Sequence, residues 1–163
     1  ITEHEIERII KLHISPINIS VHTTNPELRC KMMNNRFAGD ALSVLYRFAD
    51  AGIAINCQLV LCPGYNDGEE LRRSLKDLTS LSTVQSIAAV PVGLTAHRDG
   101  LAKLEPFNKE SASAVLDILN EELIPQIGQI PDDISSILQD MKNYIKCLLN
   151  MMQKHLILNS LVQ

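Results

Sequence analysis

The spacing of apolar residues switches repeatedly between the helical period and the strand period of two. Thr2 to His13 carries Ile6, Ile9, Ile10 and His13 between charges, the pattern of an amphipathic helix, and Pro16 stops it. Ile17 to His22 then alternates. Ile17, Ile19 and Val21 share one face, and Asn18, Ser20 and His22 share the other, which predicts a strand. Asn25 suits an N-cap and Pro26 the first helical position, so a short helix through Leu28 and Met32 is expected. Gly39 breaks the pattern. A second helix is predicted from about Asp40 to Ala51, with Leu42, Val44, Leu45 and Phe48 inward and Gly52 as the C′ residue.

Alternation returns from Ile53 to Cys62. Ile55, Cys57, Leu59 and Leu61 line one face, and Asn56, Gln58, Val60 and Cys62 the other. Pro63 and Gly64 turn the chain. Asp67 and Glu70 have capping-box spacing, with Asp67 as N-cap, ahead of a helix to about Leu81 that turns Leu71, Leu75 and Leu78 inward. Val84 to Val92 reads as a third strand and Gly93 to Pro106 as a loop. Asn108 is placed to cap a helix that runs to about Leu123.

Strands joined by helices of this length imply parallel pairing with right-handed crossovers. The fold class is therefore α/β, either part of a (β/α) barrel or a small doubly wound sheet. A whole barrel takes about 250 residues, and only three strands are visible. The expectation is a partial parallel (β/α) barrel fragment over residues 1–123, followed by a helical tail over 124–163. In the tail Ile134, Leu138, Met141, Ile145, Leu148 and Met152 form a 4-3-4-3-4 stripe between Asp133 and about Leu158. That is a long amphipathic helix, packed on its own domain or paired with another chain. A three-strand piece also exposes sheet edges. Marginal stability or self-association, through those edges or the tail, is expected. The chain begins at Ile1 rather than Met, as a piece of a longer protein would.

Composition narrows the classes. Apolar residues make up 45% and charged residues 21% of 163, the balance of a globular domain. A net charge of −4 disfavours a basic nucleic-acid face. The absence of Trp and 4% aromatic content disfavour base stacking. No run approaches the ~18 apolar residues of a membrane span, and no signal peptide is visible, so a cytoplasmic protein is expected. The four cysteines, Cys30, Cys57, Cys62 and Cys147, are irregularly spaced and contain no C-x-x-C. Reduced thiols are the simple reading, and no residue is assigned as a metal ligand.

Ligands of parallel α/β folds bind at the carboxyl ends of strands. Three polar clusters fall there: His22 to Asn25, Gly64 to Asp67, and Gly93 to Arg98. The strand faces Asn18-Ser20-His22 and Asn56-Gln58-Cys62 are more polar than a filled barrel lumen allows, which suggests an open inner wall against which a ligand lies. Each candidate has a plainer alternative. His22 is either a ligand group or a satisfied structural histidine. Asp67 and Glu70 look like paired acids, but capping explains them better. Glu27 and Arg29 fit a surface pair. His97 and Arg98 sit in a loop suited to an anion, and Met32-Met33 suits core filling.

Several strings resemble one superfamily. Ile19-Ser20-Val21-His22-Thr23-Thr24-Asn25-Pro26-Glu27-Leu28-Arg29 resembles the third-strand segment of radical S-adenosylmethionine enzymes. Leu61-Cys62-Pro63-Gly64-Tyr65-Asn66-Asp67-Gly68 resembles their fourth strand and its loop, and Val90-Pro91-Val92-Gly93-Leu94-Thr95 their fifth. Over roughly residues 3 to 119 the chain is similar to bacterial radical-SAM-like iron–sulfur proteins that carry an N-terminal PDZ domain and a C-terminal domain of unknown function. The resemblance implies an oxidoreductase-like radical enzyme that uses S-adenosylmethionine and a [4Fe–4S] cluster on an unknown small-molecule substrate. The family's cluster loop, C-x-x-x-C-x-x-C, has no counterpart in this sequence. By similarity Ser20, His22, Thr24, Asn56, Gln58, Val90, Pro91 and Val92 would line the cofactor. Asn25, Arg29, His97 and Arg98 are the substrate candidates. The expected function is part of the cofactor wall of such an enzyme, incompetent alone. The alternatives are a non-catalytic interaction module and an unrelated barrel fragment that binds a phosphate ester.

Overall fold

A computed structural model describes residues 1–94 and 98–127. Helix α1 (Glu3–Lys11) starts at Thr2, whose hydroxyl accepts from the Glu5 N–H while the Glu5 carboxylate accepts from the Thr2 N–H. Then come β1 (Ile17–Ser20), α2 (Pro26–Met33), α3 (Leu42–Asp50), β2 (Ile55–Leu61), α4 (Glu69–Thr79), β3 (Val84–Pro91) and α5 (Lys109–Ile127). The side chain of Asn25 caps α2 by accepting from the N–H groups of Glu27 and Leu28. Asn108 caps α5 by accepting from Ser111 N–H at 2.8 Å. Gly52, at φ +73°, follows the last turn of α3 in the left-handed conformation that glycine adopts without strain.

The strands lie in the order β1-β2-β3, and both pairings are parallel. The described residues therefore form an α/β unit with a three-stranded parallel sheet, as a partial (β/α) barrel requires. One sheet face is apolar. Ile55, Cys57, Leu59 and Leu61 of β2 are buried there against Leu42, Leu45 and Phe48 of α3 and Leu71, Leu75 and Leu78 of α4. Val115 and Ile118 bring α5 into the same core. Arg72 adds ion pairs to Glu121 at 2.6 Å and Glu122 at 3.2 Å.

Three expectations need correction. The first strand ends at Ser20, not His22. His22 has φ +65°, and Thr23 N–H donates to the Val21 carbonyl at 2.8 Å, closing a three-residue turn around it. Asp67 does not cap α4. Gly68 holds the N-cap position without a side-chain bond, and Asp67 Oδ1 instead accepts from Gly64 N–H at 2.8 Å. Glu70 does not complete a capping box, because its Oε1 accepts from Asn25 Nδ2 at 2.9 Å. The predicted heptad stripe of the tail lies outside the described residues, as does His97.

Candidate functional site

Among the described residues, nothing packs on the second face of the sheet. A parallel sheet covered on both sides is apolar on both. Here the register instead stacks polar rows. Asn18, Asn56 and Ser86 are paired across the three strands. Asn56 Nδ2 donates to Asn18 Oδ1 at 3.1 Å, and Ser86 Oγ donates to Asn56 Oδ1 at 2.8 Å. The next row is Ser20, Gln58 and Ala88, where Ser20 Oγ lies 3.4 Å from Gln58 Oε1. The row after that pairs Val60 with Val90. The face thus passes from amide and hydroxyl groups to aliphatic ones, a half-buried Val60 and an exposed Val90, toward the carboxyl ends of the strands.

At those ends side chains replace the missing strand. The Val60 N–H turns toward β1 after β1 has finished, and His22 Nδ1 accepts from it at 3.2 Å. Asn66, 1% exposed, completes the closure. Its Nδ2 donates to the carbonyls of His22 at 2.8 Å and Val60 at 3.0 Å, and its Oδ1 accepts from Cys62 N–H at 2.7 Å. Burial, and then the nearby Arg29 charge, hold the His22 pKa below the ordinary histidine value.

Arg29 is 7% exposed and is not a surface partner of Glu27. Its Nε donates to the Val21 carbonyl at 3.0 Å and one terminal nitrogen to the Ser20 carbonyl at 3.1 Å, while the other meets the Ala38 carbonyl. Among the described residues no carboxylate pairs with it. Burial lowers its pKa, the expected cost of a desolvated cation. Its role is to clamp the end of β1 to the segment after α2.

The remaining candidates divide. Ser20, Asn56, Gln58 and Val90 share the open face, and His22 stands at its carboxyl end. Thr24 does not join them. It is buried, its hydroxyl donates to Asp77 Oδ2 at 2.5 Å, and its N–H donates to Ser74 Oγ at 3.1 Å, so it fastens the loop to α4. Pro91 pairs with core-facing Leu61, on the opposite face from Val90, and Val92 follows the strand, its N–H donating to the Leu61 carbonyl. Asn25 caps α2, and Arg98 donates to the Ala102 carbonyl at 2.7 Å. Ser86 was not among the sequence candidates, and Asn18 and Asn66 entered only as members of a polar strand face and a strand-end cluster, with no role assigned. Alternation marks Asn18 and Ser86. Nothing in the sequence signals the burial of Asn66.

An α/β wall with a three-stranded parallel sheet and a polar face is the architecture of a partial (β/α) barrel. The chain belongs to the radical SAM-like domain family, whose model matches residues 1–87. Among solved structures it is similar to the crystal structure of a radical SAM methyltransferase from Sphaerobacter thermophilus. The match has 20% identity and a TM-score of 0.47, and it covers 72% of this chain and 35% of that one. The chain thus spans about a third of that protein. No curated protein matches it.

The family implies two groups, which the described residues fit unequally. Rows of amide and hydroxyl donors and acceptors suit the ribose and amino-acid parts of S-adenosylmethionine, and the Val60 and Val90 row suits an apolar edge. Cluster binding needs thiolates. Cys57 and Cys62 are buried in the core, and burial pushes the Cys57 thiol up to about 11. Cys30 Sγ accepts from Gly39 N–H at 3.2 Å and donates to the Arg36 carbonyl at 3.3 Å. Among the described residues no three His, Cys, Asp or Glu side chains converge as metal ligands, so these residues do not fit a [4Fe–4S] cluster.

Proposed function

We propose that this chain is a fragment of a radical-SAM-type oxidoreductase-like protein and supplies part of the S-adenosylmethionine- and substrate-binding wall. The open polar face of the parallel sheet carries this reading, because Asn18, Asn56, Ser86, Ser20 and Gln58 have no core to serve. Asn56 and Gln58 would hold the cofactor's hydroxyl and amino-acid groups, with Val90 beside its apolar part. The cysteine spacing and the burial of Cys57 and Cys62 support a further point: the chain does not cleave the cofactor by itself. The strings around Ser20, Cys62 and Val90 favour the PDZ-associated iron–sulfur proteins as its kin. Reduced thiols suit a cytoplasmic setting.

Equilibrium dialysis with labelled S-adenosylmethionine tests the binding claim. Binding to the wild-type chain, lost in Asn56→Leu/Gln58→Leu with the circular dichroism spectrum unchanged, is the expected result. Equal binding by both chains would sink it. After anaerobic iron and sulfide reconstitution, no cleavage is expected, and measurable cleavage would refute the inactive assignment.

A further inference from the structure

Where α2 ends, buried groups fasten a connector that holds a large apolar side chain in solvent. Asn34 closes the helix at φ +47°, and Asn35 Oδ1 accepts from Phe37 N–H at 2.9 Å. Cys30 Sγ accepts from Gly39 N–H and donates to the Arg36 carbonyl. The Arg29 guanidinium meets the Ala38 carbonyl. Gly39 packs so closely on α2 that a Cβ there would lie 2.8 Å from the Pro26 carbonyl oxygen, an approach that only glycine allows. Ala38 and Gly39 are buried, yet Phe37 beside them is 60% exposed. Met33, at the end of α2, is 43% exposed and fills no core. Burial of a phenyl ring is favourable, so a fixed turn that forgoes it keeps the ring for another surface.

The charge of that other surface follows from the neighbours of the rings. Arg36 Cζ lies 4.5 Å from the centroid of the Phe37 ring, and Lys31 Nζ lies 5.1 Å from that of Tyr65. Both cations therefore stand against apolar surface. The ion pairs among the described residues use Arg47, Arg72, Arg73 and Lys76, and none uses Lys31 or Arg36. Residues 28–39 contain Arg29, Lys31 and Arg36 and no Asp or Glu, in a chain whose net charge is −4. The nearest acids in sequence, Glu27 and Asp40, lie at the borders of this window. Aromatic and Arg side chains dominate the energetics of protein interfaces. Cations that flank an apolar centre match a segment in which carboxylates flank apolar side chains.

We infer that Met33 and Phe37, flanked by Lys31 and Arg36, form a docking surface for an acidic peptide segment of another protein. Apolar side chains of that segment cover the Phe37 ring and Met33, and its carboxylates meet the two cations. The surface uses none of the residues of the polar sheet face, so it stands whatever that face binds.

Panning a displayed library of random dodecapeptides on the immobilised full chain tests this, with the recovered peptides then measured by fluorescence polarisation. Sequences rich in Asp and Glu around an aromatic or aliphatic residue are expected. Phe37→Ser should weaken the best peptide about tenfold or more, the scale of an interface anchor. Lys31→Ser/Arg36→Ser should weaken it by about the same factor and remove most of its salt dependence. Leu12→Ser, at a comparably exposed apolar residue (57%) at the end of α1, should bind as wild type does. These side chains are exposed, so every variant should keep a melting temperature close to that of wild type. Recovered peptides without acidic enrichment, or equal affinity for wild type and Phe37→Ser, overturn the proposal. It is also overturned if a single-stranded oligonucleotide displaces every peptide from wild type and binds Phe37→Ser poorly, which gives the patch to nucleic acid. A wild-type dimer that Phe37→Ser dissolves overturns it as well, because the occupant is then a second copy of this chain.

Discussion

Asn66 does at the residue scale what a further strand residue would do at the element scale. Its three hydrogen bonds serve one buried N–H and two carbonyls that the sheet leaves behind. Removing a partner from buried polar groups costs about 1–3 kcal/mol for each group stranded. Asn66→Ala should destabilise the chain by roughly 3 kcal/mol in urea unfolding. Asn66→Asp should be at least as severe, because it turns an oxygen toward two carbonyls. A tolerated Asn66→Asp would show that the closure contributes little. His22 adds a pH dependence whose sign follows from its lowered pKa. The unfolded chain takes up a proton near the ordinary value of 6.5, and the folded one only at lower pH. The unfolded state thus binds more protons in that interval, so stability is full above it and falls as pH drops through it. Melting temperature measured against pH should show this fall in wild type and a shallower one in His22→Asn. Identical slopes would mean that His22 titrates freely.

At the scale of elements, side-chain period and caps were legible because they are local. The alternation of Ile55 to Leu61 gave the buried and open faces of β2 correctly, and Asn25 and Asn108 cap where the sequence places them. The failures share a physical cause, which is competition from distant partners. Asp67 and Glu70 have cap spacing, but Gly64 takes Asp67 and Asn25 takes Glu70 from 45 residues away. Arg29 resembles a surface charge until three carbonyls surround it. The alternation through His22 conceals a turn that only the pairing with β2 requires. The same distinction ranks the forces that hold α4. Leu75 is fully buried, so Leu75→Ala should cost about 2–5 kcal/mol. Arg72 reaches Glu69, Glu121 and Glu122 at the surface, where solvent screens ion pairs, so Arg72→Ala should cost less than Leu75→Ala. Denaturant midpoints of the two variants compare these terms directly, and a larger loss for Arg72→Ala would reverse the ranking.

For the whole molecule, three parallel strands leave two edges, β1 and β3, each with one neighbour among the described residues. The edges are not equivalent. β1 spans four residues, and Arg29 occupies the Ser20 carbonyl at its end. β3 spans eight, and its ladder to β2 uses N–H groups in the phase of Val92, which donates to Leu61. Beyond the register shift at Gln85, alternation turns the N–H groups of Ile87 and Ala89 outward, and Pro91 has none to offer. Unpaired strand edges recruit other strands. We therefore expect association through β3, seen in light scattering as a mass that rises with concentration. Ala89→Pro removes an outward donor without touching the inner ladder, the setting in which a sheet tolerates proline. It should hold the chain closer to monomer while leaving S-adenosylmethionine binding unchanged, since Ala89 lies on the face opposite Ala88 and Val90. Association that survives Ala89→Pro would move the interface away from this edge, to β1 or to residues 128–163. A wild-type monomer with a sharp, reversible thermal transition would show that a three-stranded wall is sufficient on its own.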